Sequence, residues 1–195
     1  MLITRILLYL ICFSSVIFAQ SKLGEVQKNF NALKNFQVNF VQLQNGKEVL
    51  SGTFTYRNPG KMRLEMKNYV MITDGNDVWN YSKKQNKVII SKFNEADASM
   101  LSLEKVINDY PSKCKVTESS TGGVNEIKLV PRDNSLNFTE AVITAPPGGL
   151  INSMTIKSGT SVFEVRLNRY STNINLPDDN FTFTPSERTK VIDLR

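Results

Sequence analysis

Over most of the chain, apolar and polar positions alternate with the period of two expected of a half-buried strand. The segment PGKMRLEMK, Pro59 to Lys67, shows this cleanly: Met62, Leu64 and Met66 fall on one side and Lys61, Arg63, Glu65 and Lys67 on the other. The apolar side consists of unbranched, pliable side chains, where a packed sheet interior more often carries Val and Ile. Similar runs follow one another: FQVNFVQL, VLSGTFTY, VMIT, DVWNY, KVIISKF, CKVTE, NEIKLVP, FTEAVITA, LINSMTIKS and SVFEVRLNRY. Turn signals separate them, at Asn45-Gly46, Asn58-Pro59-Gly60, Asp74-Gly75-Asn76, SKKQN, Gly122-Gly123, Asp133-Asn134, Pro146-Pro147-Gly148-Gly149 and Gly159.

Two stretches carry helical spacing instead. SKLGEVQKNFNALKN places Leu23, Val26, Phe30 and Leu33 on one stripe. ADASMLSLEKVINDY does the same with Met100, Leu103, Val106 and Ile107, and Pro111 just beyond reads as its stop. Consecutive hairpin-linked strands usually lie side by side. The expected fold is therefore mainly β (α+β): one large, curved antiparallel sheet of ten or eleven strands, with two or more short helices against one face. No internal repeat and no linker divides the chain. A sheet of this size curls, and two helices do not fill its hollow. The remaining apolar volume is either packed solid by large side chains or left as a pocket, and the methionines favour the pocket.

The first residues stand apart. MLITR carries one positive charge, ILLYLICFSSVIF is apolar, and Ala19 offers a cleavage site before Gln20. The run is short for a membrane span and reads as a secretory signal peptide over residues 1–19. Tyr9, Leu10 and Ile11 before Cys12 do not suit a lipoprotein signal. Residues 20–195 then form one exported domain whose only cysteine is Cys114, so an internal disulfide is excluded. The formal charge of +6 becomes +5 when Arg5 leaves with the signal. That excess suits anionic surfaces or acidic partners, or is simply an ordinary lysine-rich surface. No basic cluster interleaved with aromatics points to nucleic acid.

Candidate chemistry is sparse. The chain has no histidine, which removes the commonest general base and transition-metal ligand. It has no nucleophile elbow and no glycine-rich phosphate loop. Cys114 sits between Lys113 and Lys115, whose charges would lower its pKa, but with no histidine to activate it the expected reading is a passive, half-buried strand cysteine and not a nucleophile. Asp178 and Asp179 are adjacent and read as part of a turn, LPDDN, and not as a catalytic pair. No catalytic residue, metal ligand or cofactor site is assigned, and the residues argue against an enzyme.

The order of these features resembles the LolA family of periplasmic lipoprotein carriers. The resemblance rests on FQVNFVQ after an amphipathic helix; SGTFTYRNPGKMRLEMK, with Arg63 central in its Pro-led strand; MITDGNDVWNY, with Asp74, Gly75, Trp79 and Tyr81; and the closing NFTFTPSERTKVIDLR. It implies an incomplete β-barrel of about eleven strands with helices over its mouth, and a monomer that carries the acyl chains of lipoproteins from inner to outer membrane. The implied cavity lining is Phe40, Phe54, Met62, Leu64, Met66 and Met71. The implied lid underside is Leu23, Val26, Phe30, Leu33, Met100, Leu103, Val106 and Ile107. Implied partners are acylated lipoproteins, an inner-membrane LolCDE-like releasing transporter and a LolB-like outer-membrane acceptor. The alternative is a periplasmic sensor, or a carrier of another lipid or glycolipid, on the same half-barrel. Many members carry an arginine just before the strand-opening proline as a lid latch. Here that residue is Asn58, which leaves Arg57 and Arg63 as latch candidates, and a one-residue shift in a strand reverses the face.

Overall fold

A computed structural model of the protein describes residues 21–93 and 102–195, with the side chains of residues 102 and 103 excepted. The expected signal peptide, Met100 and the first part of the second expected helix lie outside the described residues, as does the Leu103 side chain. The described elements are helix α1 (Lys22–Asn31); strands β1 (Asn35–Gln44), β2 (Lys47–Arg57), β3 (Lys61–Met66), β4 (Tyr69–Thr73), β5 (Asp77–Ser82) and β6 (Lys87–Lys92); helices α2 (Ser102–Asn108) and α3 (Tyr110–Lys113); and strands β7 (Cys114–Thr121), β8 (Val124–Pro131), β9 (Glu140–Ala145), β10 (Ser153–Ser158), β11 (Ser161–Thr172) and β12 (Lys190–Asp193).

Every alternating run becomes a strand, and all twelve described strands form one sheet in the order β12-β6-β5-β4-β3-β2-β1-β11-β10-β9-β8-β7. Hairpins build two blocks, β1 to β6 and β7 to β11, and β11 returns to lie beside β1. The two outer strands, β12 and β7, do not pair, so the curved sheet stays unclosed. The expected count of about eleven is exceeded by one. β12 is a four-residue segment that pairs parallel to β6, too short, with its two apolar residues adjacent, to show alternation in the sequence. The turns need backbone that L-residues avoid: Asn45 and Gly46 both adopt positive φ, as the tight hairpin between β1 and β2 requires.

Two helix boundaries differ from expectation. The first helix ends at Asn31, with Ala32 as its C-cap, so Leu33 lies in the connection to β1 and not on the helix. Pro111 opens the short α3 instead of stopping a longer helix. The missing N–H of a proline costs nothing in the first turn, where no intrahelical acceptor exists.

Register and burial give the sheet two different faces. Phe36, Val38 and Phe40 of β1, with Phe54, Met62, Leu64, Ile127, Leu129, Ile143, Met154 and Leu167, join Val26, Val106 and Ile107 in one core cluster. This is the helix face. On the opposite, outer face Val70, Ile72, Val88, Ile90 and Phe181 are also buried but belong to a separate layer. That layer lies under the segment that follows β11, which crosses β2 and β3 and ends as β12 beside β6. No described helix is long and apolar enough to cross a membrane.

Candidate functional site: the apolar helix face

Cross-strand register sets the helix face row by row. Tyr56 pairs with Met62, Phe54 with Leu64 and Gly52 with Met66; Leu64 then pairs with Met71 and Met62 with Thr73. On the other side Phe40 pairs with Gly52 and with Leu167. Gly52 therefore leaves a row without a side chain between Phe40 and Met66. A Cβ there would stand 2.1 Å from the Glu65 carbonyl oxygen, so only glycine permits this approach of β3 to β2. Phe40, Phe54, Met62 and Leu64 are buried, Met62 completely, whereas Met66 and Met71 are only partly covered. The lining named from sequence thus falls on one face, with its first four members deep and the two outlying methionines toward solvent.

The cover over this face is tied down by polar contacts. Ser21 caps α1 by accepting from Gly24 N at 2.9 Å. The Glu118 carboxylate of β7 accepts from Lys22 N at 2.9 Å and Leu23 N at 3.0 Å, so a negative charge sits on the positive end of the helix dipole. Gln27 donates to the Ile107 carbonyl at 2.9 Å, and the Asn31 and Asn108 side-chain amides bond each other, joining α1 to α2. Glu25 accepts from Gly148 N at 2.9 Å, which fastens the helix to the turn before β10. Beneath these contacts Val26, Val106 and Ile107 are buried, and Leu23, Phe30 and Leu33 are partly so. The Phe30 and Phe36 rings meet at 6.1 Å. Tyr170 is partly buried against the same layer and donates to the Ile151 carbonyl at 2.9 Å; loss of hydration there pushes its pKa up.

Two cavities open at opposite ends of β2 and β3. One, of about 530 Å³, lies between the β1–β2 hairpin and the β3–β4 turn and reaches Leu50 and Met66 of the helix face. The other, of about 280 Å³, lies where Tyr56, Phe93 and the Asn58–Gly60 turn face Glu104 and Asp109. Burial, and then the Glu104 charge, raise the Tyr56 pKa.

Arg57 and Arg63 lie on the outer face. Arg57 binds Asp178 and the Leu176 carbonyl, and its guanidinium sits 4.7 Å over the Phe181 ring. Arg63 pairs with Glu65 at 3.1 Å. Both side chains point away from the helices. Tyr81 stacks on Phe183 at 4.7 Å on this same outer face, where Trp79 pairs with Ile72 and Ile90. Asp178, assigned only to a turn by the sequence, holds both Arg57 and Lys61, and those cations keep its carboxyl below the usual range. The Phe-x-Phe alternation of NFTFTP was the available signal for this layer, yet its partners are remote in sequence. Cys114 is completely buried, and burial raises its thiol pKa, against a smaller opposing effect of Arg132.

An unclosed, curved, mostly antiparallel sheet with short helices over one apolar face defines a LolA-like half-barrel. Residues 31–184 match the family described as outer membrane lipoprotein carrier protein LolA, and the protein belongs to that family. Among solved structures it is similar to an uncharacterized conserved protein from Thermus thermophilus, at 15% identity and a TM-score of 0.59, with 88% of this chain and 96% of that one covered. A LolA superfamily protein from Nitrosomonas europaea aligns at 9% identity and a TM-score of 0.39, over 83% of this chain and 96% of that one. The lipoprotein LppX of Mycobacterium tuberculosis aligns at 11% identity and a TM-score of 0.48, over 78% of this chain and 94% of that one. No curated protein matches the sequence.

Proposed function

We propose that the protein is a periplasmic carrier that holds acyl chains between its helix face and the helices, and shuttles lipoproteins from the inner to the outer membrane. In this reading it takes cargo from a LolCDE-like transporter and delivers it to a LolB-like acceptor or directly to the membrane. The observation that carries the proposal is the helix face itself: one contiguous apolar layer between the unclosed sheet and the helices, buried at its centre and only partly covered at Met66 and Met71. Family membership and the absence of any signature for catalysis in the sequence support the same reading.

The physics fits a carrier. Burying one methylene contributes about 0.8 kcal/mol, so a tail of about sixteen carbons contributes on the order of 10 kcal/mol and does not leave a membrane for water unaided. Pliable methionines accommodate tails of differing shape and release them again, where a rigid Val/Ile lining would fit one shape tightly. Tails then slide between protein and acceptor without meeting bulk water.

Organic extraction of the purified protein followed by mass spectrometry tests the proposal. Triacyl lipopeptide supports lipoprotein carriage, another lipid class shifts the cargo to that class, and no lipid at all overturns the reading. Met66→Glu and Met71→Glu are the informative variants, because both positions are only partly covered and leave a carboxylate a path to water. Each is expected to lower the retained lipid severalfold while the thermal midpoint changes little.

A further inference from the structure

The hairpin end of the sheet carries a feature that the carrier reading leaves unused. The β1–β2, β3–β4 and β5–β6 turns all project from one end, as the antiparallel order requires. The 530 Å³ notch opens between the first two. On β2 the pairing runs from Leu50, opposite Gln42, to Glu48, opposite Leu43, so Val49 is the extra residue of a β-bulge. A bulge re-aims side chains at sheet rims, and Val49 is 52% exposed. Across the notch Tyr69 is 38% exposed. Among the described residues five large hydrophobics are exposed, and two of them flank this one opening. Behind them Leu50 and Met66 line the notch and pack against the core of the helix face, giving an apolar path from solvent inward.

The charge around the opening is mostly positive. Lys67 lines it, Lys47 stands on the first turn, and Lys83 and Lys84 on the third are held close, since Lys83 N donates to the Asn68 carbonyl at 3.0 Å. Glu48 and Glu65 are the carboxylates on the same tips, and Glu65 is already engaged by Arg63 and Lys83. Exposed apolar side chains ringed by lysines match the boundary of an anionic bilayer, where tails lie beneath negative headgroups.

We propose that this notch is a membrane-docking portal: Val49 and Tyr69 insert at the surface of an anionic leaflet, the lysines face its headgroups, and an acyl tail passes between Leu50 and Met66 to the helix face. The passage of a tail rests on the carrier reading; the docking itself does not. The test is flotation of the mature protein with vesicles of phosphatidylethanolamine containing about one-quarter phosphatidylglycerol. The wild type should float with these vesicles and lose binding in high salt or on neutral phosphatidylcholine. Val49→Ser with Tyr69→Ser should lower the bound fraction about tenfold or more. Val130→Ser, at an exposed position on β8, should leave binding unchanged.

Retained lipid, read by mass spectrometry in the same preparations, separates the two readings. Loss of flotation with lipid retained supports the portal. A wild type that ignores anionic vesicles overturns it, and so does a double variant that floats normally. Sedimentation showing that Val49 and Tyr69 instead hold two copies of the protein together also overturns it, in favour of self-association.

Discussion

Gly52 shows how one residue shapes the proposed site. Glycine is the only residue type that fits opposite the Glu65 carbonyl, and it leaves the row between Phe40 and Met66 without a side chain. Gly52→Ala should lower stability by about 2 kcal/mol or more, since backbone has to move to admit the methyl group; urea unfolding measures it. Cys114 supplies a second residue-level expectation. The buried thiol, with its pKa raised, should resist alkylation in the native protein and react on unfolding, which labelling with and without denaturant reads out. The alternation in the sequence assigned Met62, Leu64 and Met66 to one face, and the register agrees. It did not tell Met62, completely buried, from Met66, half covered, because burial depends on what the helices place above each residue.

Among the elements, α1 and the C-terminal crossing segment were legible to different degrees. The apolar stripe of α1 is local and was read directly, but its end was not: Leu33 continues the spacing although the helix has already stopped. Its anchor, Glu118, lies 96 residues away from Lys22 and carries no local mark. Glu118→Ala removes the acceptor of two N–H groups at the positive end of the helix. It should cost about 1–2 kcal/mol, seen as faster amide exchange in α1 than in β1. The crossing segment is held at its start by Asn35, which accepts from Asn173 N and Ile174 N, in its middle by Asp178, and at its end by Arg195 on Asp77. Phe181 is its completely buried plug. Phe181→Ala should destabilise by about 3 kcal/mol and redshift the emission of Trp79, the only tryptophan, as water reaches the outer layer.

For the whole molecule, the sheet is sandwiched between two covers of different character. The helices meet it through apolar contacts and a few polar ties, whereas the C-terminal segment adds carboxylate–cation pairs. Asp178 is held below the usual carboxylate range by Lys61 and Arg57, Asp77 by Arg195 and Lys92, and Asp193 down to about 2 by Arg195. A carboxylate with a depressed folded-state pKa contributes stability above its unfolded value, near 4. That contribution is lost as pH falls through the folded values toward about 2. Acid should therefore loosen the outer cover through this window, and Trp79 emission against pH is the measurement. These pairs are solvent-exposed, so added salt should weaken the effect.

Local patterning along the chain is enough to place eleven of the twelve described strands, the turns between them and the amphipathic α1. All of these follow from local periodicity, turn chemistry and residue type. The tertiary structure decided which face each strand presents to the helices, that β12 pairs parallel to β6, that Arg57 and Arg63 serve the outer layer, and that a bulge turns Val49 outward. Such features arise from register and from contacts between residues far apart in the sequence, and a period of two is the same whichever face is covered.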